Sequence, residues 1–402
     1  MIILVINAGS SSLKFTLYDM DDNKKVLANG LIERIGIEGT SMKYSNFKGE
    51  KFQDKVDVKN AREGTKLATD FLVDSKYGVL SSLEAINGIG HRIVHGMEKI
   101  SEPIRVTEKV KEVLKEGALL APLHNPHNLV GIEACEAVLP GVPNVGVFDT
   151  AFHSTMPPRA YLYGLPYSLY TEDHIRRYGF HGTSHHYVSK IAAQIDGRPA
   201  SSLRIITCHL GNGASITAIK GGKSQDTSMG LTPLEGVIMG TRSGDLDPAI
   251  VIHVMEIKNK TPKEMDNLLN KQSGVLGLSG IGSSDLRDIE EAANKGNQQC
   301  AQALDIYAYR IKKYIGAYLA ALGGLDILVF TAGAGENSST LRASVLSGLD
   351  GLGFKLDTEK NDVRSSEPRV ISTPDSLYKI MVIPTNEELA IAESTEQVLK
   401  SS

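Results

Sequence analysis

The chain has 402 residues, of which 41% are apolar and 22% are charged, and its formal net charge at pH 7 is −4. This length predicts two domains or three, and the composition is typical of a globular protein with a sizeable core. This slightly negative net charge does not indicate a basic surface that would bind nucleic acid or a membrane. No run of about 18 apolar residues predicts a membrane span, and the short apolar start lacks the basic flank of a signal peptide. We therefore expect a cytoplasmic protein that acts on small molecules.

The first predicted element is a buried strand from Ile2 to Ile6, which ends in a Gly/Ser cluster before a second strand from Leu13 to Tyr18. Apolar runs broken by Gly and Ser are typical of strand–turn–strand units. Residues 60 to 86 and 107 to 138 are predicted to be helical. Another short strand covers Val145 to Phe148.

The middle of the chain repeats this opening pattern. Arg204 to Cys208 is a predicted strand, His209 to Gly213 is a glycine turn, and Ala214 to Ile219 is the next strand. In this alignment Asn7 corresponds to His209. One copy in each half of the chain predicts two related α/β lobes that face each other across a cleft.

The last third predicts a long helix over residues 297 to 322 and a strand from Asp326 to Phe330. Gly333 to Asn337 follow as a glycine turn whose Asn and Ser would cap the next helix. A strand from Lys379 to Ile383 then precedes an amphipathic helix from Glu387 to Leu399. Its acidic start suits the positive end of a helix dipole.

Standard motifs for nucleotides and metals are missing from the sequence. The P-loop pattern has only a near miss at Gly222-Lys223-Ser224, without the upstream glycine, and neither GxGxxG nor HExxH occurs. His124 and His127 share a loop, but no third ligand accompanies them, so zinc is disfavoured. The three cysteines are far apart and indicate no disulfide framework.

The two glycine turns offer another way to bind phosphate. Glycines let the backbone approach a ligand closely, and successive N–H groups then donate to an anion. Ser10 to Ser12 add hydroxyl donors and Lys14 adds a positive charge. Either turn alone is explained as well by an ordinary β-turn. The two turns together, with the turn at Gly333 to Asn337, favour a polyphosphate site.

Long segments of the chain resemble the acetate kinase family, in the same order and spacing from residue 2 to about residue 395. The matching segments are Asn7–Lys14, Gly90–Gly96, Phe148–His153, Arg177–Gly182, His209–Ser215, Met239–Pro248 and Pro384–Glu388. The resemblance implies an α/β fold of two duplicated ribonuclease H-like lobes around a central cleft, as in the actin, sugar-kinase and chaperone superfamily. It implies an N-terminal lobe of residues 1–150 plus 385–402, and a C-terminal nucleotide-binding lobe of residues 151–384.

The same resemblance implies reversible in-line transfer of the γ-phosphate of ATP to acetate, which gives acetyl phosphate and ADP. Mg²⁺, with Mn²⁺ as an alternative, would be the metal, and the family's homodimeric state is expected without a nucleic-acid or membrane partner. Two alternatives stay open. One is a propionate or butyrate kinase of the same family, and the other is a non-catalytic, actin-like nucleotide-switched module.

Four residues are implied to be catalytic. Arg92 and Arg242 would hold the carboxylate and the transferring phosphoryl group, because a guanidinium is always charged and offers planar paired donors. His181 would donate to an equatorial phosphoryl oxygen. Asp149 would transfer a proton or, since acetate is already ionised at pH 7, orient an arginine or a metal-bound water.

The resemblance also implies three sets of binding residues. Asn7 and Glu387 would hold the metal, with Glu388 as the other acidic candidate. The acid pocket would comprise Arg92, Val94, Leu123, Phe180 and Pro233, although the apolar members are also ordinary core residues. The nucleotide site would comprise Ser12, Lys14, His209, Leu210, Gly211, Asn212, Gly213, Asp285, Leu286, Arg287, Gly333, Ala334, Gly335, Glu336 and Asn337.

Overall fold

The structure is a computed structural model, and it describes residues 1–118, 120–122 and 124–401. The chain divides into two compact units, which we call unit one (Met1–Phe152 and Asn386–Ser402) and unit two (His153–Thr385). Each unit is built on one β-sheet. Within the described ranges, none of the helices combines the length and the apolar character needed to cross a bilayer.

The strands of the described residues are β1 (Ile2–Ala8), β2 (Ser12–Asp19), β3 (Lys25–Glu33), β4 (Ser41–Asn46), β5 (Lys51–Lys55), β6 (Ile86–Ile93), β7 (Ile104–Arg105), β8 (Asn144–Phe148), β9 (Arg204–Leu210), β10 (Ala214–Lys220), β11 (Lys223–Thr227), β12 (Ile327–Thr331), β13 (Arg369–Val370) and β14 (Lys379–Val382).

The helices are α1 (Ala61–Val73), α2 (Glu108–Gly117), α3 (Asn125–Val138), α4 (Pro158–Tyr161), α5 (Ser168–Thr171), α6 (Gly182–Asp196), α7 (Pro248–Ile257), α8 (Pro262–Lys271), α9 (Gly274–Ser279), α10 (Leu286–Asn294), α11 (Gln298–Leu322), α12 (Ala332–Asn337), α13 (Ser339–Leu346), α14 (Thr358–Asp362) and α15 (Glu387–Lys400).

The sheet of unit one has the strand order β5-β4-β3-β2-β1-β6-β8-β7. β1 is antiparallel to β2 and parallel to β6, which is parallel to β8. Alternate residues of β1 face opposite sides of the sheet, as the pleat requires. Leu4 and Ile6 join the core under α1 and α3, whereas Ile3 and Val5 pack with Ile391 of α15.

The sheet of unit two has the order β11-β10-β9-β12-β14-β13. β9 is antiparallel to β10 and parallel to β12, which is parallel to β14. Five adjacent strands of each sheet therefore share one arrangement, β3-β2-β1-β6-β8 in unit one and β11-β10-β9-β12-β14 in unit two. The predicted duplicated α/β fold is confirmed by this repeated order and strand sense.

The chain crosses between the units twice, and each crossing is followed by a helix that covers the sheet it has reached. α6 follows β8 of unit one in sequence but packs on β9 and β12. α15 follows β14 of unit two but packs on β1, β6 and β8. In each unit, the helix that covers one face of the sheet therefore follows, in sequence, the last parallel strand of the other unit's sheet.

Two predicted helices were too long. The prediction over residues 60 to 86 holds only for α1, because the side chain of Asp74 accepts hydrogen bonds from the N–H groups of Lys76 and Tyr77 and turns the chain. The prediction over 107 to 138 merges α2 and α3. Pro126 lies in the first turn of α3, a position that suits proline, which cannot continue an earlier helix.

Two glycines of β6 allow α15 to lie close against the sheet. A Cβ atom at Gly88 would lie 2.4 Å from Cδ1 of Leu399, and one at Gly90 would lie 2.4 Å from Oγ1 of Thr395 and 2.7 Å from Cγ2 of Ile391. A side chain at either position would push α15 away from the sheet. These glycines therefore set how closely α15 packs on the sheet at Ile391, Thr395 and Leu399.

We expect Gly90→Ala to lower the free energy of unfolding by about 1–3 kcal/mol, the usual effect of an extra methyl group in a filled core. Urea or thermal unfolding measures this change. Gly316→Ala in α11 is the matched control, because its Cβ would meet no atom within 4 Å. That variant should gain about 0.5–1 kcal/mol from better helix propensity. Equal stability of Gly90→Ala and the wild type would contradict the packing argument.

Candidate active site

The three parallel strands of unit one end side by side, and each presents a polar residue on the side covered by α15. Asn7 in β1, Arg92 in β6 and Asp149 just after β8 each stand two residues beyond a position that packs toward α15. Because side chains alternate along a strand, all three share the α15 face. The carboxyl ends of parallel strands are where α/β folds bind ligands.

Arg92 is held by two carboxylates of unit one. Its Nη2 and Nε donate to the two oxygens of Asp149 at 2.8 and 3.3 Å, and Oε2 of Glu387 lies 3.6 Å from Nε. The charge of Asp149 raises the pKa of Arg92, and Glu387 adds to this effect. The Asp149 side chain is 3% exposed and that of Arg92 is 26% exposed. Arg92 is therefore permanently charged, fixed in direction and partly open to a ligand.

This geometry bears on the two roles considered for Asp149. Both of its carboxylate oxygens accept from Arg92, and its own N–H donates to the carbonyl of Ile93 at 2.8 Å. A carboxylate engaged on both oxygens is suited to orienting the guanidinium. The arrangement favours that role over proton transfer.

The first turn of α15 brings two glutamates to the same end of the sheet. Burial raises the pKa of Glu387 above its ordinary value, although the charge of Arg92 acts in the opposite direction. Glu388 forms an ion pair with Lys14. Lys14 is the antiparallel neighbour of Asn7, so the two side chains share one face of the sheet. Asn7, Lys14, Glu387 and Glu388 thus belong to one cluster.

The turn from Asn7 to Ser12 is tied to α3. The N–H of Gly9 donates to the carbonyl of Ser12 at 2.9 Å, which closes the turn that contains the predicted residue Ser12. Asn128 donates from Nδ2 to the carbonyl of Ala8 at 3.2 Å, and its Oδ1 accepts from the N–H of Val94 at 3.1 Å. One buried amide therefore joins this turn to the end of β6.

Sequence reasoning missed the role of Asn128 and of its neighbour Asn125. Asn125 accepts from the N–H of His95 and donates to its carbonyl. The only available signal was the short run Asn125-Pro126-His127-Asn128, which places both asparagines on one face of a helix. Leu123, predicted to line the acid pocket, lies outside the described residues.

In unit two, His181 precedes α6 and its ring stacks on that of His209. The ring centroids are 4.2 Å apart and the planes are inclined by 19°. Nδ1 of His181 is 2.9 Å from Oγ of Ser215, and Nδ1 of His209 is 2.8 Å from Oγ of Ser184. Each imidazole is therefore oriented through Nδ1.

A second histidine supports this pair from within the core. His185 lies 2.7 Å from Oγ of Ser215 through Nε2 and 2.7 Å from Oγ1 of Thr207 through Nδ1. Burial lowers the pKa of His185 well below its ordinary value, so its ring is neutral. The hydroxyl of Ser215 bridges this neutral ring and His181.

Arg242 converges with His181 on the backbone of Gly213. A Cβ atom at Gly213 would lie 3.3 Å from Nη1 of Arg242 and 3.4 Å from Cε1 of His181. Nη1 donates to the carbonyl of Pro233 at 3.4 Å, and no ion pair joins Arg242 to a carboxylate in the part of the chain that the structure describes. Burial lowers the pKa of Arg242. A partly buried guanidinium without a counter-charge is suited to bind an anion.

Two glycine-containing segments of unit two also lie next to each other. A Cβ atom at Gly333 would lie 4.0 Å from Cα of Gly211 and 3.9 Å from the carbonyl oxygen of Leu210. The predicted nucleotide-binding residues fall on these two segments: His209, Leu210, Gly211, Asn212 and Gly213 on the first, and Gly333, Ala334, Gly335, Glu336 and Asn337 on the second. The two segments are therefore adjacent at Gly333 and Gly211, where an added Cβ would be in van der Waals contact.

The segment from Gly333 to Asn337 is a helix, α12, and the prediction of a turn was wrong. Oε1 of Glu336 turns back to accept from the N–H of Ala332 at 2.7 Å and that of Thr385 at 3.0 Å. Nδ2 of Asn337 donates to the carbonyl of Gly333. These local bonds close a short helical segment, and Ser338 then caps α13 as expected.

The predicted residues Asp285, Leu286 and Arg287 lie at the exposed start of α10. Asp285 accepts from Nη2 of Arg287 at 2.6 Å, and these hydrogen bonds lower the pKa of Asp285 to about 2. Further along α10, Glu290 accepts from the hydroxyl of Ser338 at 2.8 Å. α10 therefore lies beside the end of α12. Phe180 and Pro233 also lie in unit two, where Phe180 is buried and Pro233 is half-buried.

Together the fold and these two clusters define a phosphotransferase of duplicated α/β architecture. The sequence model of the acetokinase family matches residues 2–393 of this chain, so the chain belongs to this family. An acetate kinase of Halothermothrix orenii is 54% identical to it, over 100% of both chains. An acetate kinase of Dictyoglomus turgidum is 56% identical, over 99% of this chain and 98% of the relative.

Two solved structures agree. The acetate kinase of Porphyromonas gingivalis is 47% identical with a TM-score of 0.95, and a propionate kinase of Francisella tularensis is 42% identical with a TM-score of 0.91. Each comparison covers 99% of both chains.

The raised pKa of Glu387 predicts a pH-dependent effect on stability. Between its ordinary pKa of 4.5 and its raised value, the folded chain holds a proton that the unfolded chain has released. This contribution to stability is complete at low pH and is lost as the pH rises. In EDTA, Glu387→Gln should therefore melt at a higher temperature than the wild type at pH 7, and the difference should vanish near pH 4.

Glu388→Gln is the matched control, because Glu388 is the next residue on α15 and would lose its own ion pair with Lys14, so this variant should give no such gain. A Glu387→Gln variant with the same melting difference at both pH values would contradict the assignment.

Proposed function

We propose that the chain is an acetate kinase, which reversibly transfers the γ-phosphate of ATP to acetate and produces acetyl phosphate and ADP. The observation that carries this proposal is the convergence of Arg242 and His181 on Gly213. A transferring phosphoryl group spreads negative charge over its equatorial oxygens. Such a group requires positive charge and oriented hydrogen-bond donors. Arg242 supplies a guanidinium that pairs with no carboxylate among the described residues, and His181 supplies an imidazole oriented by Ser215. Gly213 lets the group approach the backbone because it has no side chain.

The proposal divides the tasks between the two units. In unit two, Arg242 and His181 donate to the phosphoryl oxygens, and the glycine segments around Gly211 and Gly333 hold the nucleotide. In unit one, Arg92 binds the carboxylate of the acceptor. Asp149 keeps the Arg92 guanidinium in one direction, so less rotational freedom is lost when the acceptor binds. Acetate attacks as a carboxylate, so the transfer itself moves no proton.

Synthesis of acetyl phosphate from ATP and acetate, trapped as the hydroxamate, tests this proposal. No acetyl phosphate at saturating substrates would favour the alternative of a nucleotide-switched module. A propionate kinase is the second candidate, because a structure with that title is 42% identical over nearly the whole chain. Values of kcat/KM for acetate, propionate and butyrate decide between them, and a tenfold preference for a longer acid would reject acetate as the preferred substrate.

We infer that Mg²⁺ is bound by Asn7 and Glu387. Mg²⁺ prefers one or two carboxylates together with phosphate oxygens and waters. Asn7 and Glu387 would supply one amide oxygen and one carboxylate oxygen, which matches this preference. Glu388 is already paired with Lys14. When bound, the metal would offset the charge of the ATP phosphates.

Metal removal should abolish activity, and Asn7→Ala should raise the Mg²⁺ concentration needed for half-maximal rate at least about tenfold, because an amide ligand is lost. Rates measured against free Mg²⁺ at fixed ATP test this expectation. Asn29→Ala is the matched control, because Asn29 contacts Ser45 on β4 and has no part in the proposed site. An unchanged Mg²⁺ dependence in Asn7→Ala would remove Asn7 from the metal site.

We also propose that the protein is a homodimer. α7 exposes Ile250, Ile252 and Ile257 by 47%, 63% and 59%. Ile250 and Ile257 lie two turns apart on the same face of α7, and exposed apolar side chains of this kind suit a surface that a second copy covers. Analytical ultracentrifugation at micromolar concentration decides the state, and a monomer would reject this proposal.

We expect Arg92→Ala and Arg242→Ala each to lower kcat at least about a hundredfold, the usual effect of losing one preorganised donor to the transition state. Arg198→Ala is the control, since Arg198 is half exposed and pairs with Asp196 and Asp326 at the surface. Its kcat should stay near the wild-type value. A near-normal kcat in either of the first two variants would remove that arginine from the mechanism.

A further inference from the structure

Arg177 begins the segment that carries His181, yet none of the roles above uses it. Its Nη1 donates to the carbonyl oxygens of Thr227 at 2.7 Å and Ser228 at 2.9 Å, and its Nη2 donates to Oε1 of Glu235 at 2.6 Å. The Arg177 side chain is 15% exposed. A largely buried arginine with this many protein partners has little capacity left for a ligand, so its role must lie in what it holds.

Glu235 is fixed on its other oxygen as well. The hydroxyl of Tyr163 donates to Oε2 at 2.5 Å and accepts from the N–H of Leu231 at 3.0 Å. Burial, together with the charge of Glu235, raises the pKa of Tyr163, so its hydroxyl keeps the proton that it donates. A Cβ atom at Gly230 would lie 1.8 Å from Oε2, so only glycine fits beside this carboxylate.

These contacts hold one end of residues 228–245, which we call the arginine loop because it carries Arg242. At the other end, Asp245 accepts from the N–H of Gly236 at 2.8 Å and from the hydroxyl of Tyr314 at 2.6 Å. Between the two anchors, the carbonyl of Pro233 accepts from Nη1 of Arg242. Glu235 stands two residues after this carbonyl, so a shift of Glu235 would move an acceptor of the Arg242 guanidinium.

The loop is also bonded to the segment that carries His181. The carbonyl of Gly230 accepts from the N–H groups of Tyr178 at 3.1 Å and Gly179 at 3.2 Å. Gly179 has φ 76°, and a Cβ atom there would lie 2.2 Å from Cγ2 of Thr227. The segment and the arginine loop therefore contact each other directly.

We propose that Arg177, Glu235 and Tyr163 are positioning residues that hold the arginine loop against the segment carrying Phe180 and His181, and so set the rate and the selectivity for the acceptor acid. The inference rests on the proposed function. A misplacement of about 1 Å at such a site lowers a rate by about a hundredfold. Nucleotide binding should change less, because it is assigned to other segments, which the arginine loop contacts through Gly240 and Asn212 and not through Glu235.

Two variants test the proposal without deleting a side chain. Glu235→Gln keeps the shape but removes the charge that balances Arg177, and Tyr163→Phe removes only the hydroxyl that orients Glu235. Asp326→Asn is the matched control. Asp326 accepts hydrogen bonds from Arg204 and Arg198. It lies just before the first residue of β12, whereas Thr331 is the last residue of that strand. It should lower stability without touching the arginine loop.

We expect kcat/KM for acetate to fall at least about tenfold in Glu235→Gln and less in Tyr163→Phe, with KM for ATP changed less than about twofold. The ratio of kcat/KM for acetate to that for propionate should shift in both variants and stay constant in Asp326→Asn. Hydrogen exchange of peptides from residues 228–245 should accelerate in Glu235→Gln and remain at the wild-type rate in the control.

Two results would overturn the proposal. One is unchanged hydrogen exchange of residues 228–245 in Glu235→Gln, and the other is an equal loss for acetate and ATP without a shift in acid selectivity. A wild-type enzyme that makes no acetyl phosphate would instead reject the proposed function, while the exchange data would still show whether these residues hold the loop.

Discussion

The close packing of a helix over the carboxyl ends of parallel strands is the constraint on which both halves of this molecule depend. In unit one, α15 can reach the sheet only because Gly88 and Gly90 carry no side chain. This contact brings Glu387 within ion-pair distance of Arg92. In unit two, α6 takes the same place over β9 and β12, and its start carries His181. In each unit, one residue of the proposed site (Glu387 or His181) is therefore positioned by a helix that follows a strand of the other unit.

The two arginines of the proposed mechanism, one in each unit, are held in different ways. Arg92 has carboxylate partners, which compensate its charge and restrict its direction. Arg242 has only carbonyl and sulfur contacts among the described residues, and burial opposes its charge. A buried charge without a partner is unfavourable until an anion arrives. The difference suits Arg92 to a weakly charged acid and Arg242 to a more highly charged phosphoryl group.

The sequence predicted the fold wherever a residue pattern repeats locally. The strand–glycine–strand units at both β1–β2 and β9–β10 were predicted from short patterns, and so was α11 over its full length. Errors arose where a side chain changed the backbone. Asp74 accepts backbone hydrogen bonds that end α1, and Pro126 lies in the first turn of a separate helix, α3. The carboxylate of Glu336 accepts from the N–H of Ala332, so a glycine-rich run becomes helical. None of these contacts follows from composition or periodicity.

The sequence by itself determined the chemistry that is available: two glycine turns, arginines set among histidines and glycines, and a glutamate pair at the start of a helix. These features are encoded in short segments, so a single chain suffices to find them. Only the tertiary structure decided which groups act on one another. The ion pair of Arg92 with Asp149 joins residues 57 positions apart, and the link from Asn128 to Ala8 spans 120. Partnerships of that range depend on strand order and helix packing, which are properties of the whole fold rather than of any segment.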